Sequence, residues 1–159
     1  MMKEYLFNFI KKHPYNISIY TEDIFERRCQ EEIIRSDEDN SSFVYIEFDF
    51  DSIDNTLGNK SNSQQFWNVF LETLSKNKRG NDILGFLEHE SGIGLLLLDS
   101  KLDGWTRLVG RFQRTASKQN FDIMNLVLEK NVKPIVYPSC IQDIQVQQTQ
   151  KQEQWRSSS

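Results

Sequence analysis

Carboxylates beside a predicted strand end are the first residues of this chain whose types and spacing could do chemistry. Asp49 and Asp51 close the segment Phe43-Val44-Tyr45-Ile46-Glu47-Phe48-Asp49-Phe50-Asp51. Hard oxygen ligands at such a place could hold a divalent cation such as Mg2+. The plainer alternative is that they cap the strand and open a solvated loop, and it is preferred because no second complete carboxylate cluster accompanies them. His89 stands between Glu88 and Glu90, a trio that could bind metal or titrate near neutrality. Its plainer reading is an exposed hairpin residue, and His13 offers no evident partner. Arg79 and Asp82 place a guanidinium and a carboxylate three residues apart, or are simply a helix-exit arginine and a strand-start aspartate. Cys29 falls on an apolar helix face and reads as core rather than nucleophile. The sequence contains no P-loop, no G-x-S-x-G and no zinc-ligand spacing.

The elements that must position these residues follow from periodicity. Leu6, Phe7 and Ile10 suit a short amphipathic helix ended by Pro14, and residues 16–20 are open between strand and loop. Thr21 is a candidate N-cap with Glu22 and Asp23 in the first turn, where negative charge suits the helix dipole. Phe25, Cys29 and Ile33 then mark one apolar face, and residues 36–42 read as a polar stop and loop. Residues 43–50 read as a strand rich in β-branched and aromatic residues, followed by a polar stretch with Gly58 and Asn59 as turn residues. A helix beginning near residues 61–63 carries the stripe Phe66, Phe70 and Leu74, flanked by Trp67 and Leu71. Arg79-Gly80-Asn81 breaks it. Residues 82–87 and 93–98 read as a β-hairpin around the polar connection 88–92, the second strand being buried on both faces. Trp105, Leu108, Val109 and Phe112 mark a further helix, residues 121–129 are open between helix and strand, and residues 132–137 read as a strand ended by Pro138.

From residue 43 the order is strand, helix, strand, strand, helix, strand. That βαββαβ order folds naturally as an α+β, ferredoxin-like sandwich with two helices on one face of an antiparallel sheet, here with an extra N-terminal helix. The expected organisation is an N-terminal extension over residues 1–20, a domain over 21–141, and a polar tail over 142–159 rich in Gln, Ser and Lys, expected to be disordered. The hydrophobic fraction of 38% and the 11 phenylalanines suffice for a core without staples. A net charge of −4 argues against nonspecific nucleic-acid binding and against anionic lipid as a partner. Cys29 and Cys140 form no C-x-x-C pattern and suit a reducing, cytoplasmic setting. The apolar patch near the first residues is too short for a signal-peptide core or a membrane span, so direct membrane insertion is not expected.

Particular residues narrow this common architecture. Phe25-Glu26-Arg27-Arg28-Cys29-Gln30-Glu31-Glu32-Ile33-Ile34-Arg35-Ser36 resembles the leading helix of GGDEF domains, and Asp49-Phe50-Asp51 resembles the Asp-x-Asp that ends their first strand. Asn55-Thr56-Leu57-Gly58-Asn59 is similar to the turn that follows, and Arg79-Gly80-Asn81-Asp82 to the family's Arg-x-x-Asp ahead of its signature hairpin. The resemblance spans residues 21–138. More narrowly, Gly85-Phe86-Leu87, Ile93-Gly94-Leu95-Leu96-Leu97, Gly104-Trp105 and Val136-Tyr137-Pro138-Ser139 are similar to a GGDEF-like domain of bacterial exopolysaccharide and sugar-transferase proteins.

The departures from that family carry as much as the matches. Where the signature reads Gly-Gly-Asp-Glu-Phe, this chain has Glu88-His89-Glu90-Ser91-Gly92. The family's glycines let backbone approach the nucleotide, which a Cβ obstructs. Its Asp-Glu pair serves two-metal phosphoryl chemistry, for which Asp49, Asp51 and Glu90 form at most a vestigial Mg2+ set. The cation that usually follows the Asp-x-Asp is missing, since Ser52-Ile53 stands there. The resemblance therefore implies a catalytically inactive regulatory domain, not an enzyme and without a cofactor, acting in cyclic di-GMP signalling or exopolysaccharide biosynthesis through a protein partner or self-association. It implies, as the alternative, a cyclic di-GMP receptor using Arg79 and Asp82, the inhibitory-site pair of the family. Trp67 and Trp105 read mainly as packing residues, although as candidate exposed tryptophans on their helices they would make self-association plausible.

Overall fold

A computed structural model describes residues 2–12, 17–76 and 82–138. The described residues form a mixed α+β structure of six helices and a five-stranded sheet. In order these are α1 (Met2–Lys12), β1 (Ile19–Tyr20), α2 (Glu22–Asp39), β2 (Phe43–Asp49), α3 (Phe50–Leu57), α4 (Lys60–Ser75), β3 (Asp82–Phe86), β4 (Gly92–Leu98), α5 (Leu102–Lys118), α6 (Ile123–Lys130) and β5 (Pro134–Tyr137). Residues 139–159, with Cys140 and the expected polar tail, lie outside the described residues, as do His13 and Arg79.

The strands lie in the order β1-β3-β4-β2-β5. β2 pairs antiparallel with β4 from Phe43↔Leu98 to Asp49↔Gly92, and with β5 through Phe43↔Tyr137. The β3–β4 hairpin is antiparallel, whereas β1 adds to the β3 edge in parallel, so the sheet is mixed rather than wholly antiparallel. The cause is local. Residues 17–20 run into α2 beside a free sheet edge, and Ile19 finds apolar cover there.

Helices cover both faces of the sheet, not one. Alternation along β2 shows why: Val44, Ile46 and Phe48 face one cluster, while Phe43 and Tyr45 face another. The larger cluster takes Leu6 of α1, α3, Phe66, Trp67 and Phe70 of α4, Trp105, Leu108 and Phe112 of α5, and α6. The smaller one is roofed by α2 through Phe25, Cys29 and Ile33. Trp67 and Trp105 are 0% and 6% exposed, so the expectation that they offer a surface for self-association is wrong. Their rings stack edge-on against Phe50 and Phe48, at 5.3 and 6.3 Å between centroids.

Several element boundaries differ from the periodicity reading. α2 runs on through the acidic stretch to Asp39 and stops where Asn40 turns left-handed (φ 58°), its N–H bonding Ser36 O at 3.0 Å. Thr21 occupies the N-cap, but its hydroxyl donates to Asp23 Oδ1 (2.9 Å) instead of accepting from the helix. Residues 121–129 form neither a strand nor an extension of α5. Asn120 (φ 55°) ends α5, Phe121 N–H bonds Ala116 O at 2.9 Å, and the chain restarts as α6.

α2 is fastened at both ends. Phe25 lies across Gly85 and Gly94, which face each other on β3 and β4. A Cβ on Gly85 would sit 2.2 Å from the Phe25 ring, and one on Gly94 2.4 Å from it. Near its other end, Arg35 bonds Asp99 in the turn after β4 (2.6 Å) and the buried Glu32 (2.9 Å), and Tyr137 of β5 donates to Asp37 (2.7 Å). Phe25→Ala should therefore cost about 3–5 kcal/mol in urea unfolding. Gly94→Ala should destabilise the protein far more in the wild type than in a Phe25→Ala background, the positive coupling of a shared contact. Equal cost in both backgrounds would show that the ring does not occupy the glycine slot.

Candidate functional site

The strand carrying Asp49 ends because the apolar period changes from two to that of a helix. Phe50, Ile53 and Leu57 are buried on one side of α3, which begins where a polar loop is expected from the sequence. Asp49 has extended backbone (φ −77°, ψ 124°), and its carboxylate accepts from Ser52 N–H at 2.8 Å. It is the N-cap of α3. Asp51 is exposed in the first turn, where the positive helix end favours a carboxylate. Behind this junction, the Asn131 amide donates to Ser52 Oγ (2.7 Å) and Ser52 O (3.2 Å). Nothing in the sequence pairs these two, which are 79 residues apart.

The hairpin tip sits against the same junction. Leu87 N–H bonds Gly92 O (2.9 Å), Glu90 N–H bonds Leu87 O (2.9 Å), and Ser91 N–H bonds Glu88 O (3.2 Å), closing a single 3-10 turn. That closure needs left-handed backbone at two successive residues, His89 (φ 56°) and Glu90 (φ 54°). Neither is glycine, and such positions cost a side-chain-bearing residue about 1 kcal/mol each. Gly92 has no room for a Cβ, which would lie 2.2 Å from Phe48 O. Phe50 N–H bonds Ser91 O at 3.0 Å and ties the hairpin to α3.

Asp49, Asp51 and Glu90 thus share one end of the sheet. Asp49 is engaged in capping, and Glu90 is half-buried. Glu88 and His89 approach to 3.5 Å, but both side chains are more than 80% exposed, so the contact adds little stability. Among the described residues no three His, Cys, Asp or Glu side chains gather as ligands for a metal ion.

Asp82 belongs to the opposite end. It pairs with Leu97, and Leu97 with Val44, whereas the hairpin base pairs Gly92 with Asp49. Five strand residues separate the two levels, about 17 Å. Asp82 is half-buried at the start of β3, and Arg79 lies outside the described residues. Cys29 is buried beneath α2, and burial, with Glu26 and Glu47 nearby, pushes its thiol up to about 12. It is no nucleophile in the folded state. Among the described residues no helix is long and apolar enough to cross a membrane.

No family profile and no curated protein matches the chain. A solved structure of the isolated GGDEF domain of TpbB (YfiN) from Pseudomonas aeruginosa is similar over 76% of this chain and 73% of that one, at 14% identity and a TM-score of 0.49. At that identity and TM-score the likeness assigns neither family nor activity.

Two outcomes are expected from this geometry. Asp49→Ala should lower stability by about 1 kcal/mol through loss of the cap, while His89→Gly and Glu90→Gly should each raise it by about 1 kcal/mol through relief of left-handed backbone; urea unfolding reads both. In a Cys140→Ser background, Cys29 should react with a thiol reagent only as fast as the protein opens. Because the folded thiol holds its proton to about 12 against 9.0 for the free group, its contribution to stability is complete below pH 9 and is lost as pH rises toward 12. Rapid labelling under native conditions at pH 8 contradicts the burial of Cys29.

Proposed function

We propose that this chain is a catalytically inactive GGDEF-like domain that acts through protein contacts, in bacterial signalling or in the regulation of exopolysaccharide biosynthesis. The observation that carries the reading is the hairpin turn. It stands where the resemblance places the Gly-Gly-Asp-Glu-Phe signature, yet every residue before Gly92 bears a side chain, and two of them sit in left-handed backbone. A phosphate-approaching turn relies on bare backbone N–H groups at such positions. Asp49 supports the same reading, since its carboxylate is turned onto the Ser52 N–H. The strand order β5-β2-β4-β3, with α4 and α5 on one face, supports a ferredoxin-like reading of residues 43–137, to which α1, β1 and α2 are additions.

Cyclic di-GMP binding through Arg79 and Asp82 is the competing reading. Asp82 lies about 17 Å of strand away from the hairpin, so a receptor site there would be independent of a dead catalytic end.

Incubation of the purified chain with GTP or ATP and Mg2+ should yield no cyclic dinucleotide. Turnover that Asp49→Asn or Glu90→Gln abolishes would overturn the proposal. Calorimetric titration with cyclic di-GMP should be flat; micromolar binding removed by Arg79→Ala would replace the protein-contact reading with the receptor reading.

A further inference from the structure

Charge in this chain is sorted between the two faces of the sheet. α2, which roofs the smaller cluster, carries eight carboxylates against three arginines. α5, which packs on the larger cluster at the opposite face, carries Arg107, Arg111, Arg114 and Lys118 against the single carboxylate Asp103. The four cations of α5 are spaced by four, three and four residues, which puts them within about 60° of the helix circumference. Arg107 is paired with Asp103 at 3.2 Å. Arg114 and Lys118 are exposed and have no ion pair among the described residues, so the stripe is least compensated toward the end of α5.

α2 presents a row of matching kind. Asp23, Arg27, Glu31, Ile34 and Glu38 are all exposed and fall within about 80° of its outward side. Ile34, 57% exposed, stands in the middle of that row as an apolar residue with no cover in the monomer. The last turn of α2 is Asp37-Glu38-Asp39 with no basic residue, although the negative end of a helix favours cations. Tyr137 accounts for Asp37, whereas Glu38 and Asp39 are exposed with no ion pair among the described residues, and a cationic surface laid against them accounts for their placement. The two helices have 18 and 17 residues, about 27 and 26 Å long, so their rows run over equal lengths.

We infer that the basic face of α5 on one copy docks on the acidic outward face of α2 on another. The occupant of the stripe is a second copy of this chain, because the complementary surface is present in the same molecule and the net charge of −4 opposes approach to an extended polyanion. The two faces are different surfaces on opposite sides of one sheet, so the contact is head-to-tail and builds rings or open chains rather than a closed two-fold dimer. It requires nothing from the hairpin and holds whether or not that hairpin is inert.

Sedimentation velocity on the full chain tests this. In low salt the wild type should sediment faster as concentration rises over about 1–500 μM, and roughly 0.5 M NaCl should return it to monomer. Arg114→Glu/Lys118→Glu and Glu31→Lys/Glu38→Lys should each weaken association at least about tenfold. All four positions are exposed, and circular dichroism verifies that both variants stay folded. An equimolar mixture of the two variants should associate again, because each reversed face then meets its complement. A wild type that remains monomeric in low salt overturns the inference, and so does a mixture that fails to recover association. A monomeric wild type that co-sediments with phosphatidylserine vesicles through Arg114 and Lys118 overturns it in favour of an anionic surface as the occupant.

Discussion

A phenyl ring seated on two facing glycines holds the second layer of this protein in place. Phe25 can lie flat on the sheet only because Gly85 and Gly94 are cross-strand partners. Side chains at either position would lift α2 off β3 and β4. Without α2, the face carrying Phe43, Tyr45 and Leu96 would be open to water, an apolar surface that a monomer does not sustain. The arrangement substitutes one aromatic ring for the missing side chains of two β residues, which otherwise weaken a sheet interior.

Polar contacts around the far end of α2 fix its direction once the ring has fixed its height. Glu32 is buried but bonded by both Arg28 (3.4 Å) and Arg35 (2.9 Å), and a buried carboxylate is tolerated when so paired. Arg35 continues to Asp99, and Tyr137 reaches Asp37, so the turn after β4 and strand β5 both hold the helix. Tyr45 donates to Glu47 (2.6 Å) beneath the same roof, and burial with that carboxylate raises its phenol far above the usual range. This layer is therefore amphipathic inside as well as outside. Its residual acidic surface faces away from the sheet, which leaves α2 and α5 as opposite poles of the molecule.

The hairpin end illustrates a different constraint, in which backbone demand and side-chain identity disagree. Closing the 3-10 turn after Leu87 requires left-handed conformation at His89 and Glu90 whatever their side chains are. The β2–β4 ladder below, pinned by Gly92 against Phe48, supplies the order that tolerates it. Glycine would satisfy the turn at lower cost. The turn closes instead on side-chain-bearing residues, beside an N-cap occupied by Asp49.

Residue periodicity alone determined strands β2 to β5, helices α4 and α5 and the hairpin, because an apolar repeat of two or of three to four residues is written in adjacent positions, whereas α3 and α6 did not follow from it. The apolar stripes of α4 and α5 identified their buried faces, whereas the plainer reading of Asp49, a strand-end residue opening a loop, missed the helix it caps. What only the tertiary structure decided depends on distant partners. The parallel edge strand β1, the placement of α2 on the opposite face, and the Asn131 clasp on Ser52 join residues whose proximity no local pattern encodes. α3 was hidden because Asp51, Asp54 and Asn55 make its exposed side read as loop, while its buried side, Phe50, Ile53 and Leu57, shows only when packed. The separation of Asp82 from Asp49 and Glu90 belongs with these. Side chains near in sequence order were sent to opposite ends of the sheet by the antiparallel register, which reverses direction at every hairpin.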